Sequence, residues 1–538
     1  MEVMLSFPSF SSCFALIDCK RSVVSTQNRR ISKRGLLILS SFKVVSKHDK
    51  LQAAKPRRSA HYHPSIWDPK LIESLSSPYT YELYATRLEG LKGNVKCLLT
   101  SNKYPGFLPK LIDTMQRFRS RDGRFMDSLS RDVEGLLSLY EASHLGMHGE
   151  DILEEAKDFS IRNLKSLVGV ISDSYFAKQV KQSLEIPLYW RMPRVEAHKF
   201  IDVYQKDITK NLTLLEMAKL DYNLLQSVYQ RELKELARWW RDLDFKDKLD
   251  FSRDRVVENF FWAAGGIFEA QFSSCRIGLT KFISILTVID DMYDIYGSLD
   301  ELECFTDAVN RWEMKGTEDL PEYMKICYLA MINFANETAI DVLRDHGFNI
   351  FPYIKEAWAN LCRSYLVEAR WFSSGYTPTL DEYLENAWIS VGGPAAILHA
   401  YVLLGCTITN DSLDRLKHGS ELIYWSSLIT RLSNDLGTSE AESKRGDVAK
   451  SIRCYMVQEG VSEEDARDHI EGLISYSWKK LNEESAKDSL PNSVVKISLN
   501  IARTAQCIYR HGDGIGTSTG ATKDHLTSLI VKPFPIEI

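Results

Sequence analysis

From Arg57 to the C-terminus, apolar residues recur at helical spacing with few interruptions. LPKLIDTMQRF (108–118) and VEGLLSLYEASHL (133–145) carry them at i, i+3, i+4 and i+7, which lines up one buried face of a helix. Alternating runs bounded by hairpin turns are scarce, so there is little from which to build a sheet. The expectation is an all-α chain. Its 538 residues exceed what one core usually supports. Trp239-Trp240 closes a long helical stretch, and the polar run DLDFKDKLDF (242–251) follows it. The boundary is placed there, giving a helical domain over 57–245 and a second over 246–538. Gly392-Gly393-Pro394 interrupts a later helix, because Gly and Pro weaken helical bonding. That break either turns backbone carbonyls toward a pocket or simply joins two helices. GDGIG (512–516) ends the pattern and is expected to open a flexible loop.

The first 56 residues differ in kind. They are rich in Ser and carry Lys20, Arg21, Arg29, Arg30, Lys33 and Arg34, against only Glu2, Asp18 and Asp49 among acids. That composition predicts an organelle transit peptide over 1–56, chloroplast rather than mitochondrial, and hence a place in the plastid stroma. The net charge of −5 argues against bulk nucleic-acid binding. The ten cysteines include no C-x-x-C pair, so zinc spacing is absent and reduced thiols are expected. The longest apolar run considered, FISILTVI (282–289), is too short to span a membrane and ends in acids. Monomer is the default.

Two acidic clusters carry the chemistry. The apolar run to Ile289 ends in Asp290-Asp291-Met292-Tyr293-Asp294, and on a helix Asp290 and Asp294 share a face with Asp291 beside them. In the second, Asn434, Thr438 and Glu442 fall at i, i+4 and i+8. Both stripes offer only hard oxygen ligands, which suit Mg²⁺ or Mn²⁺, ions that keep waters and gather substrate phosphates. Alone, either stripe also fits a solvated helix surface. Basic residues flank both: Arg253 and Arg255 lie upstream of the first, Arg431 precedes Asn434, and Lys450 follows Glu442. Metal on one side and fixed cations on the other is what a diphosphate leaving group requires. Trp262 is a candidate for stabilising a cation with its ring face, core packing being the alternative.

With these residues assembled, the chain resembles a plant class I terpene synthase of the monoterpene-synthase type. Asp290, Asp291 and Asp294 are similar to the family's DDxxD motif, and Asn434, Thr438 and Glu442 to its NSE/DTE motif. Arg253 and Arg255 are similar to the RxR element. RRSAHYHPSIW (57–67) resembles the tandem-arginine RRx8W motif through Arg57, Arg58 and Trp67. The phrases WRMPRVEAHKFIDVY (190–204) and KRGDVAKSIRCYM (444–456) strengthen the likeness. No D-x-D-D stretch is present, so protonation-initiated cyclisation is not expected.

The resemblance implies an all-α, two-domain fold, with an N-terminal helical barrel and a C-terminal catalytic bundle. It implies ionisation of an allylic diphosphate with three Mg²⁺ or Mn²⁺ held by the two motifs. Arg253, Arg255, Arg431 and Lys450 would hold the diphosphate, and Trp262 would steer the carbocation. Arg57 and Arg58 would help close the site and assist isomerisation toward cyclic products. Geranyl diphosphate is the expected substrate, giving products such as linalool, terpineol or ocimene. Farnesyl or dimethylallyl diphosphate would serve a sesquiterpene or isoprene synthase by the same mechanism.

One departure stands out. LIDTMQRF (111–118) resembles a family element that several further helices normally separate from the segment here beginning at Gly123. Only Arg119 to Asp122 intervene, so roughly fifty residues of the barrel are missing by this comparison. A non-catalytic paralogue disabled by that loss is the remaining alternative.

Overall fold

The computed structural model describes residues 57–100, 119–120, 125–169, 171, 174–405, 408–417, 419–487, 490–517 and 520–536. The expected transit peptide, the segment 111–118 and most of the 118–123 junction lie outside the described residues. Among the described residues there is no strand, only a single bridge between Arg119 and Phe125.

The N-terminal half supplies α1 (Tyr81–Thr100), α2 (Val133–Ser143), α3 (Asp151–Leu167), α4 (Ser174–Glu185), α5 (Pro193–Tyr204) and α6 (Leu212–Leu243). Local chemistry sets their ends. Asp132 accepts from the Gly135 N–H at the start of α2, and Asn211 from the Leu214 N–H at the start of α6. Helix α6 stops where Asp244 turns left-handed, with φ 58°.

The C-terminal half is a bundle of longer helices. Its main helices are α7 (Val256–Gly266), α8 (Ser273–Asp291), α9 (Leu299–Arg311), α10 (Glu322–His346), α11 (Phe351–Ser374), α12 (Leu380–Ser390), α13 (Gly393–Leu403), α14 (Glu421–Arg445), α15 (Glu463–Ser485), α16 (Asn492–Tyr509) and α17 (Gly520–Ile530), with shorter helices at Asn410–Lys417 and Ser451–Glu459. Its continuous core includes Phe282, Ile285, Ile289, Trp358, Ile429 and Trp478, all almost fully buried. A second core joins the two halves, packing Tyr229 and Leu236 of α6 and Phe260 and Phe261 of α7 against Leu526 and Phe534 from the C-terminal segment.

Two expectations need correction. Helical segments Ala270–Tyr296 and Glu322–His346 are long and apolar enough to cross a membrane, although no such stretch was expected. The uninterrupted run 282–289 is short, but Ser, Thr and Gly extend it without introducing enough charge. Here these segments are core helices, 61% and 56% buried over their most apolar windows. The GDGIG segment is not a loose loop either. Gly514, Ile515 and Gly516 are buried, and Asp513 Oδ1 accepts from the Ile515 and Gly516 N–H groups.

Candidate active site

The two acidic clusters end up on facing elements, with a different local geometry in each. Asn434, Thr438 and Glu442 lie on the unbroken α14, so their expected common stripe is present. Ser420 caps that helix by accepting from the Ile423 N–H, and Gly446 ends it at φ 69°. Gly437 has no room for a side chain, because a Cβ would stand 2.8 Å from the Tyr509 carbonyl. The stripe is thereby held close to the end of α16.

The first cluster is not one α-helical face. Helix α8 ends at Asp291, and Met292–Tyr296 continue as a π turn closed by Gly297 N–H donating to the Met292 carbonyl at 2.8 Å. Single π turns recur at functional sites because they re-aim side chains. Asp290 is partly exposed at the rim. Asp291 is fully buried and faces backward, its Oδ2 accepting from the Arg253 N–H at 2.8 Å and from Ser252 Oγ at 3.2 Å. In this geometry Asp291 braces the 252–253 segment, whereas Asp290 and Asp294 lie nearer the rim.

Arg253 lies between the two carboxylates, with Nη2 2.7 Å from Asp290 and Nε 2.8 Å from Asp291. Arg255 behaves differently. Its guanidinium is buried and donates to the carbonyls of Ile515, Gly516, Asp254 and His63. These contacts tie the 512–516 segment and the N-terminal segment to the start of α7.

A buried ionic group joins the two stripes. Lys450 Nζ donates to Glu368 at 2.8 Å, and Ser390 Oγ also bonds that carboxylate. Burial works against the Lys450 ammonium, but Glu368 and Asp294 outweigh it and hold its pKa above the usual lysine range. Arg431 donates to Asn434 Oδ1 at 3.0 Å and lies 3.4 Å from Asp435, which also accepts from the Tyr383 hydroxyl at 2.9 Å. Sequence reasoning gave no role to Glu368, Tyr383 or Asp435. Glu368 and Tyr383 sit on helices remote in sequence with no local spacing to distinguish them, whereas Asp435 follows Asn434 on α14, four residues after Arg431.

The fit to divalent ions can be judged from the carboxylates themselves. Burial pushes Asp294 up to about 8, with Asp290, Glu368 and Asp447 adding to the rise against the pull of Lys450. Burial likewise lifts Glu442 to about 7. Glu442 Oε2 is buried without a hydrogen-bond partner. Acidic oxygens this deep and this poorly matched by cations are costly unless an ion completes them. Among the described residues, no three carboxylate, imidazole or thiol groups converge to form a cage by themselves. The donor set of two facing stripes suits hydrated ions shared with a phosphate-bearing ligand.

The segment bearing Arg57 and Arg58 lies across this rim. Arg57 forks onto Glu301 with two contacts of 2.8 Å and donates to the Tyr296 carbonyl at 3.1 Å. Arg58 donates to the Asp294 carbonyl at 3.0 Å and to Asp447 at 2.7 Å. Its guanidinium also lies over the Phe372 ring. Below the rim, Trp262 is half-buried on α7, 6.1 Å from the Tyr509 ring. The helix break is also present. Gly392 has φ 78° between α12 and α13, and a Cβ there would meet Leu286 at 2.5 Å.

This is an all-helical bundle whose two oxygen-ligand stripes and flanking cations can share divalent ions with a phosphate-bearing ligand. The family described as "Terpene synthase family, metal binding domain" matches residues 241–480, and "Terpene synthase, N-terminal domain" matches 111–184. The chain is 57% identical to "Probable terpene synthase 9" of Ricinus communis, over 99% of this chain and 100% of the relative. It is 53% identical to "Trans-ocimene synthase, chloroplastic" of Litsea cubeba, over 91% and 92%. A solved limonene synthase carrying 2-fluorolinalyl diphosphate superposes with TM-score 0.85 at 37% identity, covering 89% of this chain and all of that one. A grey poplar isoprene synthase with three Mg²⁺ and dimethylallyl-S-thiolodiphosphate gives TM-score 0.75 at 43% identity, covering 80% and 82%.

The chain belongs to the terpene synthase family and is a class I carbon–oxygen lyase acting on phosphates, dependent on a divalent metal. The Ricinus alignment runs over 587 positions against 538 residues here, so about fifty positions have no counterpart in this chain.

Proposed function

We propose that this chain is a plastid monoterpene synthase that ionises geranyl diphosphate. The observation that carries the reading is Lys450, set among Glu368, Asp294 and Glu442 and so electrostatically tied to both acidic stripes. Support for a ten-carbon substrate comes from the ocimene synthase relative and from the limonene synthase with its linalyl diphosphate analogue. The leader-like composition of residues 1–56 and the chloroplastic relative support the plastid. The isoprene synthase likeness supports three Mg²⁺ ions, with Mn²⁺ as the alternative that the hard oxygen ligands also suit, but a five-carbon substrate only for that protein.

In this reading Asp290 and Asp294 hold metal on one side and Asn434, Thr438 and Glu442 on the other. Bound ions would withdraw charge from the diphosphate oxygens as the C–O bond breaks. Arg253, Arg431 and Lys450 supply fixed positive charge that costs no reorganisation as the leaving group develops. Trp262 presents an aromatic face to the carbocation. Arg57 and Arg58 hold the N-terminal segment over the rim, limiting water until the cation loses a proton or captures one water.

The test is incubation of the full chain with geranyl diphosphate and Mg²⁺, with farnesyl and dimethylallyl diphosphate in parallel, and analysis of the volatiles. A C10 product from geranyl diphosphate supports the reading. A C15 or C5 product in its place moves the substrate, and no product from soluble, folded protein favours a non-catalytic paralogue.

A further inference from the structure

The guanidinium of Arg253 is held on three sides. Asp290 and Asp291 take its edges at 2.7 and 2.8 Å, and the Tyr62 ring covers one face, with 5.0 Å from the guanidinium carbon to the ring centroid. Asp513 is a fourth group that acts on it electrostatically. Tyr62 comes from the N-terminal segment, outside the catalytic bundle. We propose that Tyr62 is a positioning residue for Arg253, so that docking of residues 57–67 sets the affinity of the site for diphosphate. The proposal rests on the reading above, in which Arg253 meets that group.

Three observations support it. First, a planar cation stacked on an aromatic face loses its freedom to rotate, so its remaining N–H groups keep one direction. Second, Tyr62 and the Asp291 carboxylate act on each other electrostatically. Asp291 Oδ1 is buried without a hydrogen-bond partner, the Arg253 Nε contact being close but poorly directed, so the Tyr62 ring and the ion pair together hold this corner of the site. Burial raises the phenol pKa, so Tyr62 stays neutral beside Arg253. Third, Tyr62 is fixed by its own neighbours. The His63 carbonyl accepts from Arg255 Nη2 at 2.7 Å, and Trp67 is buried in the core that joins the two halves. Arg255 thus grips the segment two residues from Arg253, and the segment returns Tyr62 onto Arg253.

The experiment measures binding of inorganic diphosphate, with saturating Mg²⁺, to the full chain by titration calorimetry. Tyr62→Phe keeps the ring that covers the guanidinium and is expected to bind within about twofold of the wild type. Tyr62→Leu loses that ring, with an expected loss of about threefold to thirtyfold. Arg253→Lys removes the planar group on which Tyr62 acts. Adding Tyr62→Leu to it should therefore cost no more than about twofold further, whereas Arg57→Ala, elsewhere in the same segment, should multiply with Arg253→Lys. With geranyl diphosphate, Tyr62→Leu should raise KM far more than it lowers kcat. Wild-type diphosphate affinity in Tyr62→Leu, or a full multiplicative penalty with Arg253→Lys, would overturn the proposal. Diphosphate binding without turnover of geranyl diphosphate would overturn the substrate reading and leave the coupling standing. No Mg²⁺-dependent diphosphate binding by the wild type would overturn both.

Discussion

Arg58 and Asp447 meet at 2.7 Å across the rim of the site, while the same guanidinium donates to the backbone of Asp294 at 3.0 Å. One side chain thus ties the N-terminal segment to the π turn and to Asp447, two residues beyond the end of α14. One contact is made to the turn carrying Asp294 and the other just past the helix carrying Asn434, Thr438 and Glu442, so closure of the segment and assembly of the site are mechanically linked.

Arg58→Ala should therefore lower kcat/KM for geranyl diphosphate about tenfold to a hundredfold, and shift any cyclic fraction toward acyclic or hydroxylated products as water enters. Asp447→Asn should do much the same, and the double variant should be little worse than either single one. Product analysis of all three checks this, and strictly multiplicative losses would show that the two residues act separately.

Metal occupancy should be proton-linked. Asp294 and Glu442, ordinarily titrating near 4, stand at about 8 and about 7 in the metal-free fold. Between pH 4 and 8 the folded chain holds protons that the unfolded chain has lost, so these two groups destabilise the metal-free protein progressively as pH rises. Mg²⁺ requires the ionised forms and should displace those protons. The melting shift produced by Mg²⁺ should be larger at pH 8 than at pH 6, and an equal shift at both would argue against the two carboxylates as ligands.

Acid should act on separate groups. Burial lowers His144, His399 and His525 to about 4 from 6.5. Because the unfolded chain binds protons that the folded chain refuses, stability is lost as pH falls from about 6.5 toward 4. Each imidazole contributes up to about 1.4 kcal/mol per pH unit within that window. His399 shows the reason most directly. It stacks on Phe282 with 4.2 Å between ring centroids, and its Nε2 has no partner. Denaturant titrations at pH 5 and 7 should show His399→Phe flattening this dependence.

The Lys450–Glu368 pair should be far more costly to break than a surface ion pair. Both side chains are almost fully buried, so Glu368→Ala leaves a cation without its counter-charge, an expected loss of about 3–5 kcal/mol. Glu303→Ala removes an exposed partner of Arg370 and should cost less than about 1 kcal/mol. Chemical denaturation of the two variants side by side gives the comparison.

The helical class and both acidic clusters could be read from the sequence because period 3.6 and i, i+4 spacing are local properties. The local geometry departs from that period just after Asp291. A regular helix was extended through 294, whereas the π turn begins at Met292 and leaves Asp291 facing Arg253. The family likeness places Arg255 with the diphosphate, and nothing in the sequence announces its partners here, carbonyls as distant as His63 and Gly516. Glu368 and Asp447 could not be picked out. A lone acid acquires meaning only when Lys450 or Arg58 arrives from elsewhere in the chain.

The reading of this site as one that ionises an allylic diphosphate can be tested on the protein itself. Its most direct test is release of inorganic diphosphate from geranyl diphosphate by the full chain, with and without Mg²⁺, beside Asp290→Ala and Asp294→Ala. The account predicts Mg²⁺-dependent release that both substitutions reduce by at least about a hundredfold. Folded wild-type protein that binds Mg²⁺ and diphosphate but releases none from geranyl diphosphate would contradict it.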